Sequence, residues 1–441
     1  MRAYIIRRLL MMPVTLIGVT LIVFCLTRLV PGGPVERILQ EQAIGALMGE
    51  KALAGSAATM QDEDMERLEE LFNLNEPVWK AYLQWLGLRR SRVETVRAEF
   101  ADTAQGGSAY ISMSGNDGEV RTLEVQREGY TPHFLPPEWY REEGWRLILE
   151  SPEERAKAWA RRHYVKDAAA VAEQASHLRW RAVMYRKAFN GLLQGNLGRS
   201  YKYNQPVLDM MAQRLPVSLY FGLLGALVAY MLSIPLGVVK ALHHKSLFDS
   251  VSSLFIFVGY AVPGFALGAV LLVYLGARLE YFPLYGLTSP GFSAMSLGEQ
   301  LKDLAMHTAL PLTCYVIGAL AMTTMMMKNN LLENLSADYM RTAVAKGVSF
   351  RRAVWGHAFR NSFIPVASNL GGVVCSVVGG SILIERVFDI QGFGMLSYQA
   401  LMDKDYSLIM GTLLLSSLMI ILGNLASDIF VACLDPRIKF E

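Results

Sequence analysis

The sequence predicts an all-α integral membrane protein of six transmembrane helices, with an α+β subdomain inserted on the outer side between the first and second. Three observations carry this. Six apolar runs are each long enough to cross about 30 Å of hydrocarbon. Positions 31–214 hold 24 basic and 26 acidic residues, 50 of the chain's 81 charges, in 184 of its 441 residues. Within that polar stretch the spacing of apolar residues changes from helical to alternating and back. One part suits water and the other lipid, which excludes a single soluble domain. The apolar part has too much to bury for disorder. A net charge of +3 gives no reason to expect nucleic acid as a partner.

The first run, Leu9 to Val30, follows Arg2, Arg7 and Arg8. It is too long for the apolar core of a signal peptide, and Pro31-Gly32-Gly33-Pro34 offers no small-residue cleavage site. Phe24 is too bulky before Cys25 for lipidation, so the run reads as an uncleaved helix. Leu215 to Val239, Val251 to Leu275, Thr308 to Met327, Ile364 to Ile384 and Leu408 to Leu434 follow. The third reads as one unambiguous span. The fifth carries Gly371, Gly372, Gly379 and Gly380, which suit close helix approach in lipid. Pro235, Pro263, Pro311 and Pro365 permit kinks that neighbouring helices accommodate.

Six spans put both termini on one side, and the early arginines make it the cytoplasm. The loops agree: Lys240 to Ser250 and Lys328 to Phe363 are basic, while the opposite loops are acidic or balanced. The expected organisation is residues 1–30 (N-terminus and first helix), 31–214 (extracytoplasmic, with the insertion at roughly 87–186) and 215–441 (helices two to six, with a cytoplasmic loop at 328–363).

In the outer region, Asp62 to Arg90 has helical spacing. Ser108 to Gly129 alternates around Gly115-Asn116-Asp117-Gly118, a hairpin signal. Ser151 to Leu193 reads as helical again, opened by Ser151-Pro152-Glu153-Glu154. Trp79, Trp85, Trp139, Trp145, Trp159 and Trp180 lie here, as a domain core and interfacial anchors or as a docking surface. Trp139, Trp145 and Trp159 are the candidates for a partner surface.

No catalytic constellation appears. The chain has no Walker A sequence, no HExxH and no GxGxxG. Cys25, Cys314, Cys375 and Cys433 lie in or beside apolar runs and read as small apolar fillers, without metal spacing. His243-His244 reads as basic filler beside the membrane, and Met325-Met326-Met327 as a packing stripe. Asp403 and Asp405 read as exposed-loop residues without a desolvating context. The chain is expected to be no enzyme and to hold no metal or cofactor.

Asn334 to Pro365 is the most informative stretch. It reads as two short helices broken at Gly347, hung on a basic loop. Ala337, Thr342, Ala343 and Ala345 permit close contact, and the second helix presents Phe350, Val354 and Phe359. That shape fits a groove in another protein.

The same residues closely resemble the coupling loop of ABC-importer permeases of the dipeptide/oligopeptide/nickel family. Asp338, Tyr339, Arg341, Thr342, Ala343, Ala345, Lys346, Gly347, His357, Ala358, Arg360, Asn361 and Pro365 match its pattern. Ala337 stands where the family has glutamate, and Val344 where it has arginine. Arg7-Arg8-Leu9 and Pro31-Gly32-Gly33-Pro34 resemble the start of the first, B-type, permease, with Gly33 replacing an aspartate. Gly195 to Ser200, Val262 to Phe265, Phe282 to Gly286, Leu310-Pro311, Glu385 to Phe388, Gly392 to Gly394 and Leu434 to Arg437 also fit. The likeness covers about three-quarters of the chain and departs over roughly Gly87 to Arg186.

The resemblance implies a type I ABC importer permease fold in a bacterial or archaeal inner membrane. It implies a homologous second permease, two ATP-binding subunits that hold ATP and magnesium, and an extracytoplasmic solute-binding protein, all among membrane lipid. Coupling would run through residues 334–365, with Asp338, Tyr339, Arg341, Thr342, Ala343, Ala345, Lys346, Gly347, Arg351, His357 and Arg360 at the contact. Oligopeptide and peptide-antibiotic uptake permeases look most similar, which implies short peptides as cargo and identifies no substrate-contact residue. The alternative is a non-transporting membrane receptor or scaffold with a large extracytoplasmic binding domain.

Overall fold

The structure, a computed structural model, describes residues 2–29, 66–101 (without 67, 68, 71 and 72), 107–114, 119–128, 131–134, 141–369 (without 142 and 164) and 382–434. The chain forms two bodies, one of Met1–Val23 with Arg199–Glu441 and one of Phe24–Gly198.

The second is an α/β body. Helix α1 (Arg2–Leu29) begins in the helical body and ends here. Phe24 meets Tyr82 and Trp85 of α2 (Val78–Trp85) at ring distances of 5.4 and 6.4 Å. Strands β1 (Ser91–Glu99), β2 (Gly107–Ser114), β3 (Val120–Glu128), β4 (Thr131–Phe134), β5 (Trp145–Glu150) and β6 (Arg181–Ala188) form two antiparallel sheets, ordered β1-β6-β5 and β2-β3-β4. The expected hairpin is β2–β3, with Ile111 opposite Leu123 and Ala109 opposite Val125. All four face the core, where Phe100, Met113, Trp145 and Met184 join them.

Between β5 and β6 lie α3 (Pro152–Arg162) and α4 (Ala168–His177). Ser151 caps α3 by accepting from the Glu154 backbone, and the Glu154 carboxylate accepts from the Ser151 N–H. The helical reading of Ser151 to Leu193 therefore holds only to His177. Residues 181–188 are the central strand of a sheet, and Arg181 to Tyr185 are all buried. Burial on both faces erases the alternation that marks a strand. Strand β1 was hidden for another reason: its register slips between Arg92 and Glu94, and the bulge breaks its period. The helical reading of Asp62 to Arg90 is interrupted too, because α2 begins only at Val78 after turns at Asn73–Asn75. Trp145 is buried in the core and cannot dock a partner, Trp159 lies half-buried against His163, and Trp139 is outside the described residues.

In the helical body, α1, α5 (Val207–Leu242), α8 (Leu297–Ser336) and α14 (Tyr406–Leu434) are long and apolar enough to cross a membrane. The third apolar run differs from its expected single span. It forms α6 (Leu247–Ala261) and α7 (Gly264–Leu271), the latter continued by a π-turn to Arg278, with a 91° bend between them. Pro263 at the bend has no N–H to continue the α6 ladder and instead starts α7. Of the fifth run, α11 (Phe359–Ser368) covers the start, and residues 370–381, with all four glycines, are outside the described residues. The short helices α12 (Ile382–Val387) and α13 (Phe393–Met402) lead to α14. The basic loop also begins later than expected, since Lys328 to Ser336 still belong to α8. No glycine or proline interrupts the helix there.

Helices α5 and α8 approach so closely that glycine is required. A Cβ on Gly237 would lie 2.8 Å from both Met327 Cβ and the Thr324 carbonyl oxygen, and one on Gly225 would lie 3.3 Å from Tyr315 Cβ. Small residues let helix backbones meet where lipid supplies no hydrophobic drive. Gly237→Val should force the pair apart at a cost of about 1–3 kcal/mol, read as a lower thermal midpoint in detergent. An unchanged midpoint would show that the helices have room to separate.

Candidate functional site

The helix–glycine–helix carries a run of exposed polar side chains on the helical body. Helix α8 stops at Ala337, whose backbone is extended. Helix α9 (Asp338–Ala345) runs to Lys346, and Gly347 takes a φ of 86°. The Gly347 N–H donates to the Val344 carbonyl at 2.9 Å and the Val348 N–H to Ala343 at 3.2 Å. This paired closure needs a left-handed residue, hence glycine. Helix α10 (Phe350–Ala353) follows, then a π-turn over Val354–Ala358 that leads into α11.

One face of this knob is seated. Met340, Ala353, Val354 and Ala358 are buried against Tyr230, Val238 and Ala241 of α5 and Met327 and Leu331 of α8. Ser362 Oγ ties α11 to α8 by donating to the Asn330 carbonyl at 3.2 Å. The other face is open. Asp338, Tyr339, Arg341, Thr342, Ala345, Lys346, Gly347, Arg351, His357 and Arg360 are all exposed, and Ala343 is half-buried. The structure thus brings the expected contact residues onto one protrusion.

Three apolar residues of the knob are exposed: Val344, Phe350 and Trp355, the last two 57% and 51% exposed. Phe350 is presented as expected, whereas Val354, expected beside it, is buried and Phe359 is half-buried. Trp355 lies in the π-turn beside the buried Val354 and is exposed. Its ring lies 5.1 Å from Phe359, which stacks on Phe363 at 5.9 Å. The Asp338–Arg341 pair, 3.7 Å apart, is fully exposed and contributes little. Tyr339 OH donates to Asn334 Oδ1 at 2.6 Å, which fixes the ring. Apolar anchors ringed by basic groups suit a protein groove. No group of three metal-ligating side chains occurs among the described residues.

Two buried carboxylates organise another part of the same body. Glu385 on α12 accepts from the Met395 N–H at 2.6 Å and from Ser218 Oγ at 3.2 Å, while Ser218 accepts from the Phe393 N–H at 2.7 Å. Burial pushes the Glu385 carboxyl upward, and these hydrogen bonds pull it back. Asp405 accepts from Ser200 Oγ at 2.5 Å and from the Leu408 N–H at 3.2 Å, capping α14. Burial raises Asp405 as well. Tyr201 OH donates to the Asp403 carbonyl at 2.9 Å, and Lys202 pairs with the Asp403 carboxylate. Asp403 and Asp405 are therefore buried, 8% and 0% exposed, contrary to the exposed-loop reading. Their partners lie some 200 positions earlier, beyond the reach of any local pattern.

Residues 233–440 match the family described as "Binding-protein-dependent transport system inner membrane component". The chain is 31% identical to the "Inner membrane ABC transporter permease protein YejB" of Escherichia coli O157:H7 over 444 aligned positions, which take in the whole of both chains. It is 37% identical over 249 residues to the "Peptidoglycan transport system permease protein YejB" of Agrobacterium fabrum, covering 56% of this chain and 68% of that one. It is 32% identical over 259 residues to the "Oligopeptide transport system permease protein AppB" of Bacillus subtilis, covering 58% and 80%.

Gly392→Ala tests the Glu385 clasp. A Cβ there would lie 2.5 Å from the Glu385 carboxyl carbon. Displacing the carboxylate should leave the N–H groups of α13 unsatisfied, at about 1–3 kcal/mol, seen as faster proteolysis of the α12–α13 region. Wild-type resistance would show that the clasp carries no weight.

Proposed function

The chain belongs to the inner-membrane permeases of binding-protein-dependent ABC transport systems, and from that premise we propose that it forms one half of an importer for short peptides. It is a transport permease and no enzyme. The seated, outward-facing knob at residues 334–365 carries the reading. Its buried side is fixed to two membrane-length helices, and its open side offers Phe350, Trp355 and basic groups to a partner.

In this reading six helices span the membrane, with the bent α6–α7 pair and the α11 region supplying the third and fifth. Both termini and the knob lie in the cytoplasm, and the α/β body is the extracytoplasmic insertion. A second, homologous permease completes the pathway. Two ATP-binding subunits, which hold the ATP and magnesium, dock on the two permeases, and one of them receives Asp338 to Arg360 in its groove. An extracytoplasmic binding protein delivers cargo to the outer face. Closure of the ATP-binding subunits displaces the knob, and α5 and α8 move with it, opening the pathway alternately to each side. Cargo and ATP are then linked thermodynamically through one conformational equilibrium. Peptides as cargo rest on the named transport of the Bacillus relative.

Gly347→Pro removes the N–H that closes the knob, and Ala343→Glu puts a charge into its half-buried side. Both should abolish peptide uptake in membranes that still contain the inserted chain. Near-normal uptake by a correctly inserted variant would sink the coupling role. Deleting 107–182 tests the insertion: weaker binding-protein affinity is expected, and unchanged affinity would remove the α/β body from docking.

A further inference from the structure

Three charges are buried where α5, α6 and α8 meet. Lys240 on α5 is wholly buried, and Asp249 on α6 and Lys328 on α8 are 5% and 7% exposed. Lys328 Nζ donates to both Asp249 carboxylate oxygens, at 2.7 and 2.8 Å. Lys240 Nζ lies 3.1 Å from Asp249 Oδ1 and donates to the Asp249 carbonyl, Ser252 Oγ and Ser253 Oγ at 2.7–2.8 Å. The Lys245 N–H donates to Asp249 Oδ2 at 3.2 Å, and His244 Nδ1 sits 3.4 Å from it. One carboxylate on α6 therefore holds groups from two other helices and from the turn between α5 and α6. Burying ions is costly unless they are paired and hydrogen-bonded; here two lysines share one carboxylate, and Ser252 and Ser253 take further donors of Lys240.

This cluster adjoins the seat of the knob. Val238 and Ala241 flank Lys240 in sequence, and Met327 precedes Lys328. All three belong to the apolar cluster that buries Met340, Ala353, Val354 and Ala358. Only Asp249 and Ile256 of the 15 residues of α6 are buried, so the cluster is one of its two buried anchor points.

We propose that Asp249 is a positioning residue for energy coupling: it fastens α6 to the α5–α8 pair, so that displacement of the knob moves three helices as one body. The proposal rests on the permease reading. Without the clasp, motion of the knob would still reach α5 and α8 through their apolar seat, while α6 and the bend after it would lag.

The test uses the complete importer in nanodiscs, with uptake and ATP hydrolysis measured together. Lys328→Met leaves Lys240 and Asp249 as a balanced pair and cuts only the tether to α8. It should assemble normally and keep basal ATP hydrolysis, while transport per ATP falls at least about fivefold. Lys328→Arg, which keeps a charged donor for the Asp249 carboxylate, should retain most of that ratio. An unchanged ratio in Lys328→Met, with only a lower thermal midpoint, would make the cluster merely structural and overturn the proposal. A wild-type complex whose ATP hydrolysis ignores its binding protein would overturn the permease reading itself, and this inference with it.

Discussion

The close approach of α5 and α8 is the constraint on which the rest of the helical body depends. Gly237 permits it, because any Cβ there would enter the space of Met327 and the Thr324 carbonyl. The approach puts Val238 and Ala241 opposite Met327 and Leu331, and that apolar floor buries Met340, Ala353, Val354 and Ala358. The knob is thus a rigid projection of two long helices. Its polar face can stay open to a partner because its stability comes from the side turned inward. A free loop of the same composition would lose most of its binding energy to ordering.

Elsewhere in the helical body the work is done by carboxylates. Glu385 gathers Ser218 and the start of α13, and Asp405 gathers Ser200 and the start of α14. Each joins chain segments some 170 to 200 residues apart. Buried acids of this kind are costly unless their acceptor sites are filled, and backbone N–H groups at helix starts fill them at little entropic cost. The glycine at 392 follows from the same geometry, since the Glu385 carboxylate occupies the place of a side chain. The α/β body pairs its buried charges as well: Arg181 reaches Glu66 and Glu150 at 2.7 and 2.6 Å, and Arg155 reaches Glu99 at 2.8 Å.

What could be read from the sequence was whatever is encoded locally. The long apolar runs, the capping box at Ser151, the β2–β3 alternation and the left-handed Gly347 each need only a few neighbouring residues. The missed features depend on distant partners or on irregular backbone. Strand β6 is buried on both faces, so nothing alternates. Pro263 marked a place for a kink, but hydropathy is blind to direction and read one span: the run stays apolar through a 91° turn. Asp403 and Asp405 looked exposed because their partners are contributed from residues 200–203. The residues expected at the contact fall together on the knob because its helix–glycine–helix pattern is local in sequence.

The most direct test of the account is a photo-crosslinker placed at Phe350 or Trp355 in the assembled complex in native membranes, with Tyr110 on the α/β body as the comparison. The account predicts adducts with an ATP-binding subunit from positions 350 and 355 and none with that subunit from 110. No such adduct from 350 and 355, in a complex that still transports, would contradict it.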